Sequence, residues 1–210
     1  MNHIKKDSSR RSSFGTHGMT WVDRLGIWLS RRAILKEVGD GRLIDVLEIG
    51  CGFHALNLLS IRDKASSLTG IDFNLSPDLS DIPNFTAIQG NFDDVVPRLE
   101  GHKYDLVMMI SVLEHLNDPL AALRLCRSLL REHGLLLINV PTWRGKAFLE
   151  FSAFKLGLSP REEMDDHKMY YDKKDLWPLL VKSGFKPSQI CMKYHKFRLN
   201  LFASSVHDSR

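Results

Sequence analysis

From about residue 20 onward, short apolar runs of Val, Ile and Leu alternate with longer stretches whose apolar residues recur every three or four positions. The runs read as buried parallel strands, and the longer stretches as the helices that cross between them. Strands are predicted over Leu43–Ile49, Ser67–Asp72, Thr86–Gln89, Tyr104–Ile110 and Leu135–Val140. Ahead of them, Thr20 and Asp23 form a capping-box pattern, and Trp21, Leu25, Trp28, Leu29 and Leu35 follow at helical spacing. A helix over about 21–38 is predicted, its tryptophans packing it onto the domain in preference to lining a substrate entrance. A second helix is marked by Asn117 and Asp118 as caps, Pro119 in the first turn and a Leu120, Leu123, Leu130 stripe that stops before Gly134. A third runs from Lys173 to Ser183 with Gly184 as its stop. The last two runs, Ser188–Lys193 and Phe197–Ser204, suit an antiparallel edge. Together these predict an α/β fold, a Rossmann-like doubly wound, mostly parallel sheet with an antiparallel C-terminal edge strand.

Two segments depart from the alternation. Residues 1–19 are Ser-rich and polar, with Lys5, Lys6, Arg10 and Arg11, and read as a disordered, solvated basic tail. Thr142–Asp172 carries Trp143, Phe148, Phe151, Phe154, Met164, Met169, Tyr170 and Tyr171, and reads as a cap inserted into a single domain spanning 20–210. With 43% apolar residues, a chain of 210 supports one such domain. There is no apolar run of about eighteen residues and no leader pattern, so neither a transmembrane segment nor secretion is predicted. Three cysteines at unrelated spacings suit a reducing, cytoplasmic setting. The net charge of +4 is spread along the chain and signals no nucleic-acid partner.

The chemistry concentrates in Val46-Leu47-Glu48-Ile49-Gly50-Cys51-Gly52-Phe53-His54, a buried strand ending in an acid and then a Gly-x-Gly turn. Glycines there admit a tight turn and a close approach of backbone to ligand. Twenty residues beyond Gly52, the next strand ends in Asp72, whose carboxylate is placed to accept hydrogen bonds from a ribose diol. The pair predicts an adenosine-containing ligand.

This segment resembles the class I S-adenosylmethionine-dependent methyltransferases, over about Val46 to Val140 with a weaker echo through Phe185. Glu48, Gly50 and Gly52 match the family's acid-x-Gly-x-Gly motif, and His54 stands where the family has a third glycine. The resemblance implies S-adenosylmethionine as cofactor and Asp72 as the ribose acid. Asn91 and Phe92 then fall at the adenine, with Cys51 in the turn and Ile110 and Ser111 at the end of the fourth strand completing the cofactor-binding set. Ser111-Val112-Leu113-Glu114-His115 resembles the Leu-Glu-His signature of the branch containing quinone-biosynthesis O-methyltransferases. Relatives that hold a divalent metal here use two acids and the histidine; with Ser111 in the first acid's place the ligand set is too thin, and no metal is predicted.

Methyl transfer from a sulfonium is an in-line displacement in which positioning carries much of the barrier, and a base matters when the acceptor is a hydroxyl. His115, just past the fourth strand, and His167 in Asp165-Asp166-His167-Lys168-Met169-Tyr170-Tyr171 are the catalytic candidates. The aromatic cap suits a small-molecule, lipid or glycan acceptor. Two other functions compete. A nicotinamide-dependent oxidoreductase would use the same strand-end acid, but it lacks the third glycine and would set Glu48 beside a pyrophosphate. A cofactor-binding partner subunit without turnover would account for His54 and Asn91.

Overall fold

The alternating pattern folds into one seven-stranded sheet in the order β3-β2-β1-β4-β5-β7-β6. The computed structural model describes residues 13–16, 18–41, 43–99, 101–151 and 168–208. Strands β1 (Leu43–Ile49), β2 (Ala65–Asp72), β3 (Phe85–Gln89), β4 (Tyr104–Ile110) and β5 (Leu130–Pro141) are parallel. Strand β7 (Asn200–Val206) runs antiparallel to β5, and β6 (Ile190–His195) forms the antiparallel edge beyond it. Strand order reverses between β1 and β4, which opens a crevice at their carboxyl ends, where ligands bind in sheets of this kind.

Each face of the sheet is covered, as continuous apolar strands require. On one face Leu47, Ile71, Val107, Met109 and Ile138 pack with Leu123 and Cys126 of helix α4 (Pro119–Leu129) and Leu176 and Leu180 of α6 (Lys173–Lys182). On the other, Val46, Leu68, Leu106 and Met108 pack with Ile34 of α1 (Trp21–Val38) and Leu58 of the short α2 (Leu56–Leu59). The remaining helices are α3 (Phe92–Val95) and α5 (Trp143–Phe151). None of the described helices is long and apolar enough to cross a membrane. All three cysteines are free thiols.

Two features differ from the sequence pattern. Leu130, counted into the helical stripe, instead begins β5, where it pairs with Tyr104. The strand tolerates this early start because His133, at a φ of 63°, bulges before Gly134 and is tied down by its N–H donating to the His207 carbonyl (2.8 Å). The second concerns α1. Its capping box forms as predicted, Thr20 N–H donating to Asp23 (2.8 Å) and Asp23 N–H to Thr20 Oγ1 (3.2 Å). Its bulky stripe, however, faces outward. The less conspicuous stripe of Ile27, Ser30, Ile34 and Val38 turns inward, with Ser30 and Ile34 fully buried. Smaller side chains allow the close approach to α2, which the Arg31 Nε bond to the Leu56 carbonyl (3.1 Å) secures.

Candidate active site

At the crevice, β1 passes into a turn built on two left-handed glycines, Gly50 (φ 71°) and Gly52 (φ 75°). A Cβ on Gly50 would lie 2.2 Å from Val112 Cγ2, so that position needs glycine for space as well as for conformation. The N–H groups of Gly50 and Cys51 both donate to the Ile71 carbonyl, at 2.8 and 3.1 Å, and lock the turn to β2. One residue further, Asp72 receives the Gly52 N–H on Oδ2 (2.7 Å) and the Phe73 N–H on Oδ1 (2.7 Å). Its Oδ1 also accepts the Ser13 hydroxyl at 2.5 Å, while Asn74 N–H donates to Ser13 Oγ at 2.7 Å. Residues 13–16, assigned by composition to the tail, therefore form a turn laid across the glycine loop, with Phe53 N–H donating to the Phe14 carbonyl (2.9 Å). The cleft left between Phe14, Met19, Gly52 and His54 holds only about 30 Å³. A larger groove of about 620 Å³, lined by Asp45, Ser67, Thr69 and Arg131, lies at the amino ends of the strands, away from this chemistry.

Glu48 is wholly buried on the α1 and α2 face, and neither carboxylate oxygen has a hydrogen-bond partner among the described residues. Burial raises its pKa well above the usual carboxylate range; the nearby Leu58 N–H and Asn57 amide offset part of this, and Asp72 adds to it. Cys51 is buried with its sulfur towards Gly70, and desolvation pushes its thiol far up. Asn91 is exposed and caps α3 through its carbonyl, which accepts the Asp94 and Val95 N–H groups at 3.0 Å. Phe92 is half-buried and leans on the main core. The third-glycine position, His54, packs edge-on against Phe53 at 4.8 Å and is followed by a left-handed Ala55, so α2 starts late and stays short. Ile110 is buried, and Ser111 adopts a φ of 58° with its N–H on the Asn139 carbonyl (2.8 Å).

Leu113–His115 makes a 3-10 turn that the Val112 contact sets against Gly50. His115 is half-buried there and Glu114 is buried. The Glu114 carbonyl accepts the N–H groups of Lys168 (2.8 Å) and Met169 (3.3 Å), and Tyr171 packs beneath, its N–H on the Pro141 carbonyl (2.9 Å). Burial, with the charges of Glu114 and Asp175, pushes the Tyr171 phenol up to about 12. His167 and the centre of the predicted cap, residues 152–167, lie outside the described residues. The β6–β7 hairpin reaches the same end of the sheet through three consecutive left-handed residues, Lys196, Phe197 and Arg198. The Lys196 ammonium comes within 3.7 Å of where a Gly26 Cβ would lie; burial draws its pKa down to about 8 against the pull of Glu114. Ser13 and Lys196 were not legible as neighbours of this crevice, because each reaches it through contacts far away in sequence.

The residues present fit S-adenosylmethionine. Asp72 already holds one hydroxyl, which a ribose diol would displace, and two backbone N–H groups, and Glu48 brings a buried carboxyl with no hydrogen-bond partner among the described residues to the end of β1. A model of the methyltransferase domain matches residues 22–190. The chain belongs to this methyltransferase family. It is a class I enzyme and S-adenosylmethionine is its cofactor, which sets aside the nicotinamide reading. The ubiquinone biosynthesis O-methyltransferase of Glaesserella parasuis is 30% identical over 167 residues, covering 71% of this chain and 70% of that protein. The protein of the same name from Pseudomonas aeruginosa is 28% identical over 129 residues, so that the chain spans about half (52%) of it and 58% of this chain is matched. Among solved structures, a methyltransferase from Archaeoglobus fulgidus shares the fold with a TM-score of 0.65 at 16% identity, covering 90% of this chain and 95% of that one. An N-methyltransferase from Bradyrhizobium japonicum, crystallised with S-adenosylhomocysteine, aligns with a TM-score of 0.59 at 15% identity over 88% and 87% of the two chains.

Proposed function

We propose that this methyltransferase transfers the methyl group to an oxygen or nitrogen of a small-molecule, lipid or glycan acceptor, with His115 taking the proton when the acceptor is a hydroxyl. The observation that carries this reading is the packing of Val112 on Gly50, which seats the Leu113–His115 turn directly against the cofactor loop. S-adenosylmethionine supplies an electrophilic methyl when bound. Asp72 and the Gly52 N–H hold the ribose side and Glu48 faces the loop from below. The half-buried His115 then waits where an acceptor would enter, on a wall shared with Glu114 and Tyr171. Histidine is the side chain best suited to act as a base at neutral pH. The relatives named ubiquinone biosynthesis O-methyltransferase support oxygen as the acceptor atom.

The test is to incubate the chain with S-adenosylmethionine and panels of phenols, amines, lipids and glycans, reading S-adenosylhomocysteine release and product mass. His115→Gln is expected to lower kcat for hydroxyl acceptors about 100-fold or more while leaving cofactor affinity unchanged. Binding of the cofactor without release of S-adenosylhomocysteine for any acceptor in the panels would return the chain to the partner-subunit reading.

A further inference from the structure

The outward stripe of α1 is unusual for a helix packed on a sheet. Trp21, Leu25, Trp28, Arg32 and Leu35 are spaced four, three, four and three residues apart and so share one face. That face is open to solvent: Trp21 is 69% exposed, Trp28 49%, Leu25 43% and Leu35 37%. Contiguous apolar surface of this kind marks an interaction site, since a face meant only for water would carry polar residues. The cations are as informative as the indoles. Arg24, Arg32 and Lys36 are exposed on the same side, and Arg32 stacks on Trp28 with its guanidinium carbon 4.8 Å from the ring centre. The helix has two acids and both are engaged elsewhere, Asp23 in the N-terminal capping box and Glu37 with Lys193 at 3.2 Å. Lys5, Lys6, Arg10 and Arg11 precede the helix in the chain. Beside its Gly26, the β6–β7 hairpin presents Phe197, 83% exposed, and Arg198.

We propose that this face of α1 docks the enzyme on an anionic lipid bilayer. Indole rings rest well at headgroup depth, leucines reach the acyl boundary, and a ring of cations is drawn to anionic headgroups. The same charges argue against a second copy as the occupant, because pairing two such faces sets cation against cation. Docking also has a consequence for the site. The opposite side of the helix supplies Ile27 to the cleft beside Gly52 and His54, so a docked enzyme holds its crevice next to the lipid surface. The proposal does not depend on the acceptor reading.

Co-sedimentation of the full chain with phosphatidylcholine vesicles, with and without phosphatidylglycerol, tests it. Binding is expected to the anionic vesicles, with a blue shift of tryptophan emission, and to weaken with salt. Trp21→Ala with Trp28→Ala is expected to weaken it roughly tenfold or more. Replacing Arg24, Arg32 and Lys36 by Gln is expected to cost about fivefold for each cation. Circular dichroism checks that these surface variants fold. Three results would each overturn the proposal: no binding to anionic vesicles, binding unchanged in the tryptophan variant, or a dimer in sedimentation equilibrium that the same tryptophan replacements abolish.

Discussion

The hydroxyl of Ser13 donates to Asp72, the carboxylate proposed to take the cofactor's ribose, and so occupies with a side chain the place a sugar hydroxyl would take there. The same Ser13 oxygen accepts from the Asn74 backbone, and with the Phe53 N–H on the Phe14 carbonyl the turn over residues 13–16 is held at three points. A cofactor that uses Asp72 must displace this contact, and its apparent affinity is reduced by the fraction of chains in which the turn is seated. Ser13→Ala is therefore expected to tighten S-adenosylmethionine about 2- to 10-fold in calorimetric titration, the net worth of one such hydrogen bond. Weaker binding in this variant would instead place Ser13 among the residues that hold the cofactor.

Asp72 gives the opposite sign. Because its oxygens also satisfy the Gly52 and Phe73 N–H groups, Asp72→Ala would leave two backbone donors stranded and confuse folding with binding. Asp72→Asn retains the shape and one acceptor oxygen but removes the charge. It is expected to weaken S-adenosylmethionine and S-adenosylhomocysteine alike, roughly 10- to 100-fold, and to lower the melting temperature less than Asp72→Ala does, since only one of the two backbone N–H groups loses its acceptor. Unchanged affinity in the folded variant would move the ribose elsewhere.

The strands, the Gly-x-Gly turn and the acid at Asp72 were legible because each is written in contiguous residues with a period or an offset of its own. What escaped depends on contacts between distant segments. Ser13 bonds a partner 59 positions away, which no local pattern encodes. Lys196 joins the crevice because β6 and β7 return antiparallel to it, and only the sheet order reveals that. The face of α1 was misread for a different reason. Two stripes coexist on that helix, and the bulkier one, with its two tryptophans, is the one turned to solvent. Size predicts burial only when the opposite face is polar, and here Ile27, Ile34 and Val38 make both faces apolar.

The contact of Val112 with Gly50 joins the glycine loop to the Leu113–His115 turn, and it can be dissected. Gly50→Ala introduces a clash with Val112 Cγ2 at 2.2 Å and forces a side chain onto a φ of 71°. A loss of about 1–3 kcal/mol in urea denaturation is expected from overpacking, with the backbone term on top. Adding Val112→Ala removes the clashing methyl while the φ remains. The double variant is then expected to recover part of the loss and no more, a coupling that additive single effects would contradict.

Glu48 supplies a pH dependence whose sign follows from its burial. Its pKa in the folded chain is raised well above the ordinary 4.5. Below pH 4.5 the carboxyl is neutral in both folded and unfolded chains, and its contribution to stability is fully present. As pH climbs beyond that value the unfolded chain releases the proton readily while the folded chain resists, so stability is lost until the folded pKa is passed. Glu48→Gln removes this titration and keeps the size of the side chain. Urea denaturation of both proteins in steps from acid to neutral pH is expected to show the variant gaining on the parent progressively above pH 4.5. Every other titrating group cancels in the difference, so a gap that stays constant across the range would mean that Glu48 ionises in the folded chain as easily as in water.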